Sequence, residues 1–93
     1  MNSEDAQILA LRALTFLAED QQRIEGFLRM TGTQPADLRQ FAQTEEGLAA
    51  ILDYLLGNER LLLEFTGSEQ CPDDAPARAR RALPGNQQSP GWN

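Results

Sequence analysis

Apolar residues recur at helical spacing along most of the chain, and polar capping residues divide this pattern into six segments. The first segment is predicted to be a helix from an N-cap at Ser3 to about Ala18. Its polar positions form only a narrow stripe: Asp5, Arg12, Thr15 and Glu19. The rest of its surface is apolar: Ile8, Leu9, Leu11, Leu14, Phe16 and Leu17. A helix that is apolar around most of its circumference is expected to lie at the centre of the fold.

The second and third segments carry clear start and stop signals. Asp20 is predicted to cap a helix that ends near Met30. Gly32 follows at the position where a helix end favours a positive φ. Thr33 is predicted to cap a short third helix with Pro35 in its first turn. Proline is tolerated at this position, because a backbone N–H there would have no partner within the helix.

The fourth segment is predicted to be a second central helix, which Thr44 caps and Gly57 ends. Asn58 then caps a fifth helix, which is expected to stop at Thr66-Gly67. A last helix is predicted from near Pro72 to Ala82. Residues 84–93 have the composition of a disordered tail, so the chain is predicted to be a single helical domain over residues 1–83.

Part of the pattern occurs twice. Leu14-Thr15-Phe16-Leu17 matches Leu52-Asp53-Tyr54-Leu55, and further along the chain Thr31-Gly32 matches Thr66-Gly67. We therefore hypothesise two pseudo-repeated three-helix halves, the second shortened by three residues between these two matches. The alternative is that any two amphipathic helices closed by Thr-Gly look alike. Two units are too few for a solenoid, so one shared core is expected.

The motifs Ala18-Glu19-Asp20, Phe27-Leu28, Thr31-Gly32, Pro35-Ala36-Asp37-Leu38-Arg39 and Leu52-Asp53-Tyr54-Leu55-Leu56 resemble those of a small bacterial family. This family is domain of unknown function 3572, which is typical of alphaproteobacteria. The resemblance covers about residues 4–83. The shared residues are helix caps and core positions, so the resemblance carries over no catalytic or ligand-binding residue.

Composition supports an all-α fold, a compact bundle of five to six short helices. The chain contains no Val, and Ala, Leu, Glu, Gln and Arg dominate. The net charge of −6 disfavours binding to nucleic acid or to an anionic membrane. The single Cys71 indicates a reduced environment, and the acidic N-terminus does not resemble a secretory signal. The longest apolar runs are only a few residues, so we expect a cytoplasmic protein.

The chain also contains no His, so it cannot form a Ser–His–Asp or Cys–His site, and one Cys without His cannot form an ordinary zinc site. Three pairs of adjacent carboxylates lie at predicted helix boundaries: Glu19-Asp20, Glu45-Glu46 and Asp73-Asp74. Most of them lie at a helix start, where their charge complements the helix dipole. We therefore predict that the protein is not an enzyme and needs no cofactor or metal.

The candidate partner-binding residues are the basic cluster Arg78, Arg80 and Arg81 together with Trp92. The simpler interpretation of the arginines is that they lie in the last turns of a helix on its solvent face. Cys71 has no neighbouring cation in the sequence, which favours an incidental cysteine over a redox thiol. Asp53 either lines a groove or marks the water-facing edge of its helix, and its match to Thr15 favours the water-facing edge.

Two functions fit these observations. The first is a protein–protein interaction module, which would bind an unidentified protein or a second copy. Its basis is the apolar excess on the fifth helix: Leu61, Leu62, Leu63 and Phe65. The alternative is a small-ligand-binding protein or a carboxylate-dependent enzyme, with Arg12, Glu19 or Asp53 converging on a pocket between the halves.

Overall fold

The computed structural model describes residues 1–83, which form six α-helices and one 3-10 turn and include no strand. The all-α fold predicted from the composition is therefore confirmed. The 3-10 turn is Pro35–Asp37, directly before the third helix. The six helices are α1 (Ser3–Ala18), α2 (Gln21–Thr31), α3 (Leu38–Phe41), α4 (Glu45–Leu56), α5 (Glu59–Glu69) and α6 (Ala75–Ala82).

Three of the predicted N-caps are confirmed. Asp20 accepts hydrogen bonds from two backbone N–H groups of the first turn of α2, at 2.9 and 3.3 Å. Thr44 accepts one from the N–H of Gly47 at 2.9 Å, and Asn58 accepts one from the N–H of Leu61 at 3.2 Å. Each side chain satisfies backbone donors that would otherwise have no partner in the helix.

The other predicted helix starts are wrong by one to four residues. Asn2, one residue before the predicted Ser3, caps α1 and accepts from the N–H of Asp5 at 2.8 Å. Thr33 caps nothing, because its hydroxyl bonds that of Thr31 at 2.9 Å. The last helix begins at Ala75 rather than near Pro72, because the preceding residues form a turn. The predicted disordered tail, residues 84–93, lies outside the described residues.

The two central helices are α1 and α4, as predicted. They pack against each other, α6 packs against both, α2 packs on α1, and α5 packs on α4. Two edge-to-face aromatic contacts join the halves: Phe16 to Phe65, with ring centroids 5.5 Å apart, and Phe27 to Tyr54, at 5.4 Å. Such contacts stabilise a core beyond the area that they bury.

These aromatic contacts reveal the true register of the repeat. The register that places Leu14 on Leu52 also places Phe16 on Tyr54 and Phe27 on Phe65, so the two contacts exchange as in a pseudo-two-fold arrangement. The same register superimposes Gln21–Thr31 on Glu59–Glu69 without a gap. The structural repeat that we predicted is therefore present in the first two helices of each half.

The predicted stop at Thr66-Gly67, with the shortening of the second half that it implied, is wrong. Gly67 lies inside α5, and Gln70 adopts the left-handed conformation with φ of 56°. In the register of the aromatic contacts Gln70 matches Gly32, whose φ is 74°. The helix ends there because the N–H of Cys71 bonds the carbonyl of Thr66 at 3.0 Å, a Schellman-type closure that does not require glycine. The halves also differ after this point, where α6 packs on the core and α3 is a single short turn.

Candidate interaction surface

The helix α1 places its small residues against the core and leaves large apolar residues in water. Ala6, Ala10 and Ala13 are fully buried, whereas Ile8 is 47% exposed and Leu11 is 44% exposed. The expectation that the apolar surface of α1 is buried is thus wrong for Ile8 and Leu11. The alanines allow α4 and α6 to approach α1 closely, so the buried arc is narrower than the apolar arc.

Four exposed residues form what we call the α1 outer face: Glu4, Ile8, Leu11 and Thr15. Spacings of four, three and four residues place them in one row along the helix, directly opposite the buried alanines. The two apolar side chains occupy the middle of this row and the two polar ones its ends. The hydroxyl of Thr15 donates to the carbonyl of Leu11 at 3.1 Å, which fixes one end of the row.

One edge of the α1 outer face carries charges of both signs, Asp5 and Arg12, and both side chains are exposed. Arg12 Nη1 lies 3.4 Å from Glu69 Oε1 of α5. Beyond this edge is a shallow groove of about 260 Å³. Its lining is Met1, Asp5, Ile8, Leu9, Arg12, Cys71, Pro72, Ala75 and Arg78. The apolar surface therefore continues from Ile8 into the groove.

The structure separates the candidate arginines of α6. Arg78 lines the groove beside the α1 outer face, and its Nε lies 3.6 Å from Asp74 Oδ2. Arg80 points the other way, is only 16% exposed, and donates through Nε to Asp53 Oδ1 at 2.7 Å. The solvent-face interpretation is thus wrong for Arg80, because packing of α6 on the core buries its stem. Arg81 is exposed, and Trp92 lies outside the described residues.

The apolar excess expected on α5 is small. Phe65 is fully buried, Leu61 and Leu62 are half-buried against the core, and only Leu63 is largely exposed, at 46%. In the sequence of α1, Ala6, Ala10 and Ala13 recur at helical spacing. Small residues at this spacing are typical of a side on which helices approach closely, but the pattern alone does not show which side of α1 is buried.

The residues predicted to converge on a pocket between the halves do not converge. Arg12 pairs with Glu69, and Asp53 pairs with Arg80. Arg12 and Asp53 line two different grooves, and Glu19, an exposed residue at the end of α1, lines neither of them. The side chain of Asp53 is 55% exposed and lines an open groove formed by residues of both halves, so both interpretations of this residue describe its position.

Cys71 is partly buried at the foot of the groove. Burial raises the pKa of its thiol above the ordinary value, and the nearby carboxylate of Glu69 raises it further. Since the thiolate is the reactive form, this environment opposes redox chemistry and favours the interpretation of Cys71 as an incidental cysteine.

Two further findings concern the part of the chain that the structure describes. Within residues 1–83, no three Cys, Asp or Glu side chains form a group that could hold a metal ion. No helix among these residues has the length and apolarity needed to cross a membrane.

Over residues 1–83, the fold is a small helical bundle that contains a repeated helix pair, and the α1 outer face presents two neighbouring apolar side chains to water. The chain belongs to the family described as "Protein of unknown function (DUF3572)", whose model matches residues 3–86. No curated protein and no solved structure matches the chain.

Proposed function

We propose that this protein is a protein–protein interaction module without catalytic activity, and that its partner binds the α1 outer face. The observation that carries the proposal is the inversion of side-chain size on α1. Small Ala6, Ala10 and Ala13 are buried, while Ile8 and Leu11 are nearly half exposed. The fold gains little from two large apolar side chains in water, whereas a partner that covers them would gain.

The free energy that a partner would gain by covering Ile8 and Leu11 is large enough to contribute to binding. Complete burial of a Leu or Ile side chain is worth about 1.5–3 kcal/mol, and nearly half of each side chain remains available here, so each contributes about 1 kcal/mol. The surroundings also resemble an interface, in which an apolar centre is enclosed by a polar rim. Glu4, Asp5, Arg12 and Thr15 supply that rim.

The absence of catalysis is proposed from the sequence. Without His, the chain lacks the side chain that ordinarily acts as general base at neutral pH. Most of its paired carboxylates lie at helix starts, where capping and the helix dipole account for them: Asp20 caps α2, Glu45-Glu46 lie in the first turn of α4, and Asp73-Asp74 directly precede α6. Glu19 is exposed at the end of α1. We also propose a cytoplasmic location, since the single Cys71 indicates a reducing compartment.

The test is affinity purification of the tagged chain from its native cells, followed by quantitative mass spectrometry. The variant Ile8→Gln/Leu11→Gln removes the apolar centre but keeps good helix formers. Leu63→Gln is the matched control, because Leu63 is equally exposed on another helix. We expect the α1 variant to lose a captured protein that the Leu63 variant retains. Capture of the same proteins by all three tagged chains, with untagged copies of this chain counted among them, would refute the proposal.

A further inference from the structure

We propose that the partner of the α1 outer face is the same face of a second copy of this chain, packed as an antiparallel pair of α1 helices related by a two-fold axis. This inference rests on the proposed function and names its partner. In a two-fold interface, residue i meets residue j of the partner and j meets i. The surface must therefore be complementary to itself, and the α1 outer face is.

The row of four residues is symmetric about its own centre. A two-fold axis midway between Ile8 and Leu11 places Ile8 opposite Leu11 of the second copy, and the reverse contact follows by symmetry. The same axis places Glu4 opposite Thr15 of the second copy. Each apolar side chain thus meets an apolar one, and the Glu4 carboxylate lies at the end of the contact, opposite the small side chain of Thr15, whose hydroxyl donates within its own helix. No other axis along this row pairs all four residues.

The charges on the edge of the face are also self-complementary. In an antiparallel pair the same edge of each helix faces its own copy, so Asp5 approaches Arg12 of the second molecule. At a rise of 1.5 Å per residue, the two residues differ by only about 3 Å along the common axis, which is within reach of an Arg side chain. The guanidinium has five N–H donors and can bind this carboxylate together with that of Glu69.

Repulsion between the acidic chains does not oppose this contact. The two Glu4 carboxylates lie about 16 Å apart along the paired helices. This separation exceeds the Debye length of about 8 Å at physiological ionic strength, so their mutual repulsion is screened. The cation Arg12 lies near the axis, whereas the carboxylates Glu4 and Asp5 lie farther out. The net charge of −6 on each chain is therefore not concentrated at the interface.

The strength of the dimer follows from its size. One helix pair with the edge of the adjoining groove buries less than the roughly 1,600 Å² of a standard interface. We therefore expect a reversible dimer that forms at micromolar or higher concentration. Sedimentation velocity over a range of concentrations measures this equilibrium directly in the full chain.

The sharpest test exchanges the charges. Asp5→Arg places two arginines together at both symmetric positions, and Arg12→Asp does the same with two aspartates, so each variant should dimerise at least about tenfold more weakly than the natural chain. An equimolar mixture of the two variants restores opposite charges at both positions, and the double variant Asp5→Arg/Arg12→Asp restores them within one chain. We expect both to recover the dimer. Circular dichroism and thermal unfolding verify that each variant is folded.

Leu11→Glu should abolish the dimer, whereas Leu63→Glu, an equally exposed position on α5, should not. A natural chain that is monomeric throughout would overturn this inference, as would a dimer that survives Leu11→Glu. Failure of the charge-exchanged mixture to dimerise would overturn the antiparallel register. None of these results refutes the proposed function, since a different protein captured through Ile8 and Leu11 in the affinity experiment would still support that function.

Discussion

Two glycines that occupy matching Thr-Gly motifs should respond in opposite ways to the same substitution. Gly32 follows the end of α2 with φ of 74°, a conformation that L-residues rarely adopt. Gly67 lies inside α5 with ordinary helical geometry, and a Cβ atom there would meet no atom within 4 Å. We therefore predict that Gly32→Ala destabilises the protein and that Gly67→Ala stabilises it.

The magnitudes follow from the backbone at each site. A left-handed conformation costs a residue with a Cβ about 1–2 kcal/mol, so Gly32→Ala should lower the free energy of unfolding by about 1 kcal/mol. A helical Gly is about 0.5–1 kcal/mol less favourable than Ala, so Gly67→Ala should raise it by that amount. In a domain of this size, 1 kcal/mol corresponds to a shift in Tm of about 4–8 °C.

The assay is equilibrium unfolding in urea, monitored by far-UV circular dichroism. The variants are comparable if the free energy of unfolding depends on urea concentration with the same slope in each of them. Gln70→Gly is a third variant, because Gln70 holds the second left-handed position, with φ of 56°. It should gain stability, since glycine carries no penalty there. Destabilisation by Gly67→Ala similar to that by Gly32→Ala would show that α5 ends at Thr66, and would refute the gapless register that matches Gln70 with Gly32.

Four further predictions concern three residues of the fold: Asp53, Gly47 and Cys71. Asp53→Asn should lower the free energy of unfolding by about 1–2 kcal/mol, because the substitution deprives the largely buried Arg80 of its carboxylate. The control Glu64→Gln weakens only exposed ion pairs and should change the free energy of unfolding by less than about 0.5 kcal/mol in the same urea assay. Equal effects of the two variants would contradict this reasoning. Gly47→Ala should lower the free energy of unfolding by about 2 kcal/mol or more, because the added Cβ would collide with the carbonyl oxygen of Phe41. An unchanged Tm in calorimetry would contradict this prediction. Iodoacetamide should alkylate Cys71 more slowly in the folded chain than in urea, because the pKa of the thiol is raised in the fold. The same shift predicts a small stabilising contribution that is complete below the unfolded thiol pKa and lost as the pH rises through the folded one.

The sequence by itself determined the features that depend on contacts within one turn of helix. The all-α class follows from residue propensities, and the caps Asp20, Thr44 and Asn58 were predicted correctly because each side chain bonds N–H groups two or three residues away. Gly32 was predicted for the same reason, since positive φ is a local preference. The exposure of Asp53 was also predicted from its match to Thr15, whereas its pairing with Arg80 of α6 was not.

Only the tertiary structure decided which apolar arc of α1 is buried and where α5 ends. The apolar positions of α1 cover most of its circumference, so the pattern alone does not choose between the alanine side and the side of Ile8 and Leu11. The choice depends on how closely α4 and α6 can approach, which is a property of three elements together. Likewise, α5 continues past Gly67, since a single glycine costs a helix only about 1 kcal/mol. In its last turn Thr66 is buried, and its hydroxyl donates to Asp73 Oδ1 at 3.0 Å, a contact that local sequence preference does not report. The candidate interaction surface was therefore visible only after packing had selected the face that remains in water.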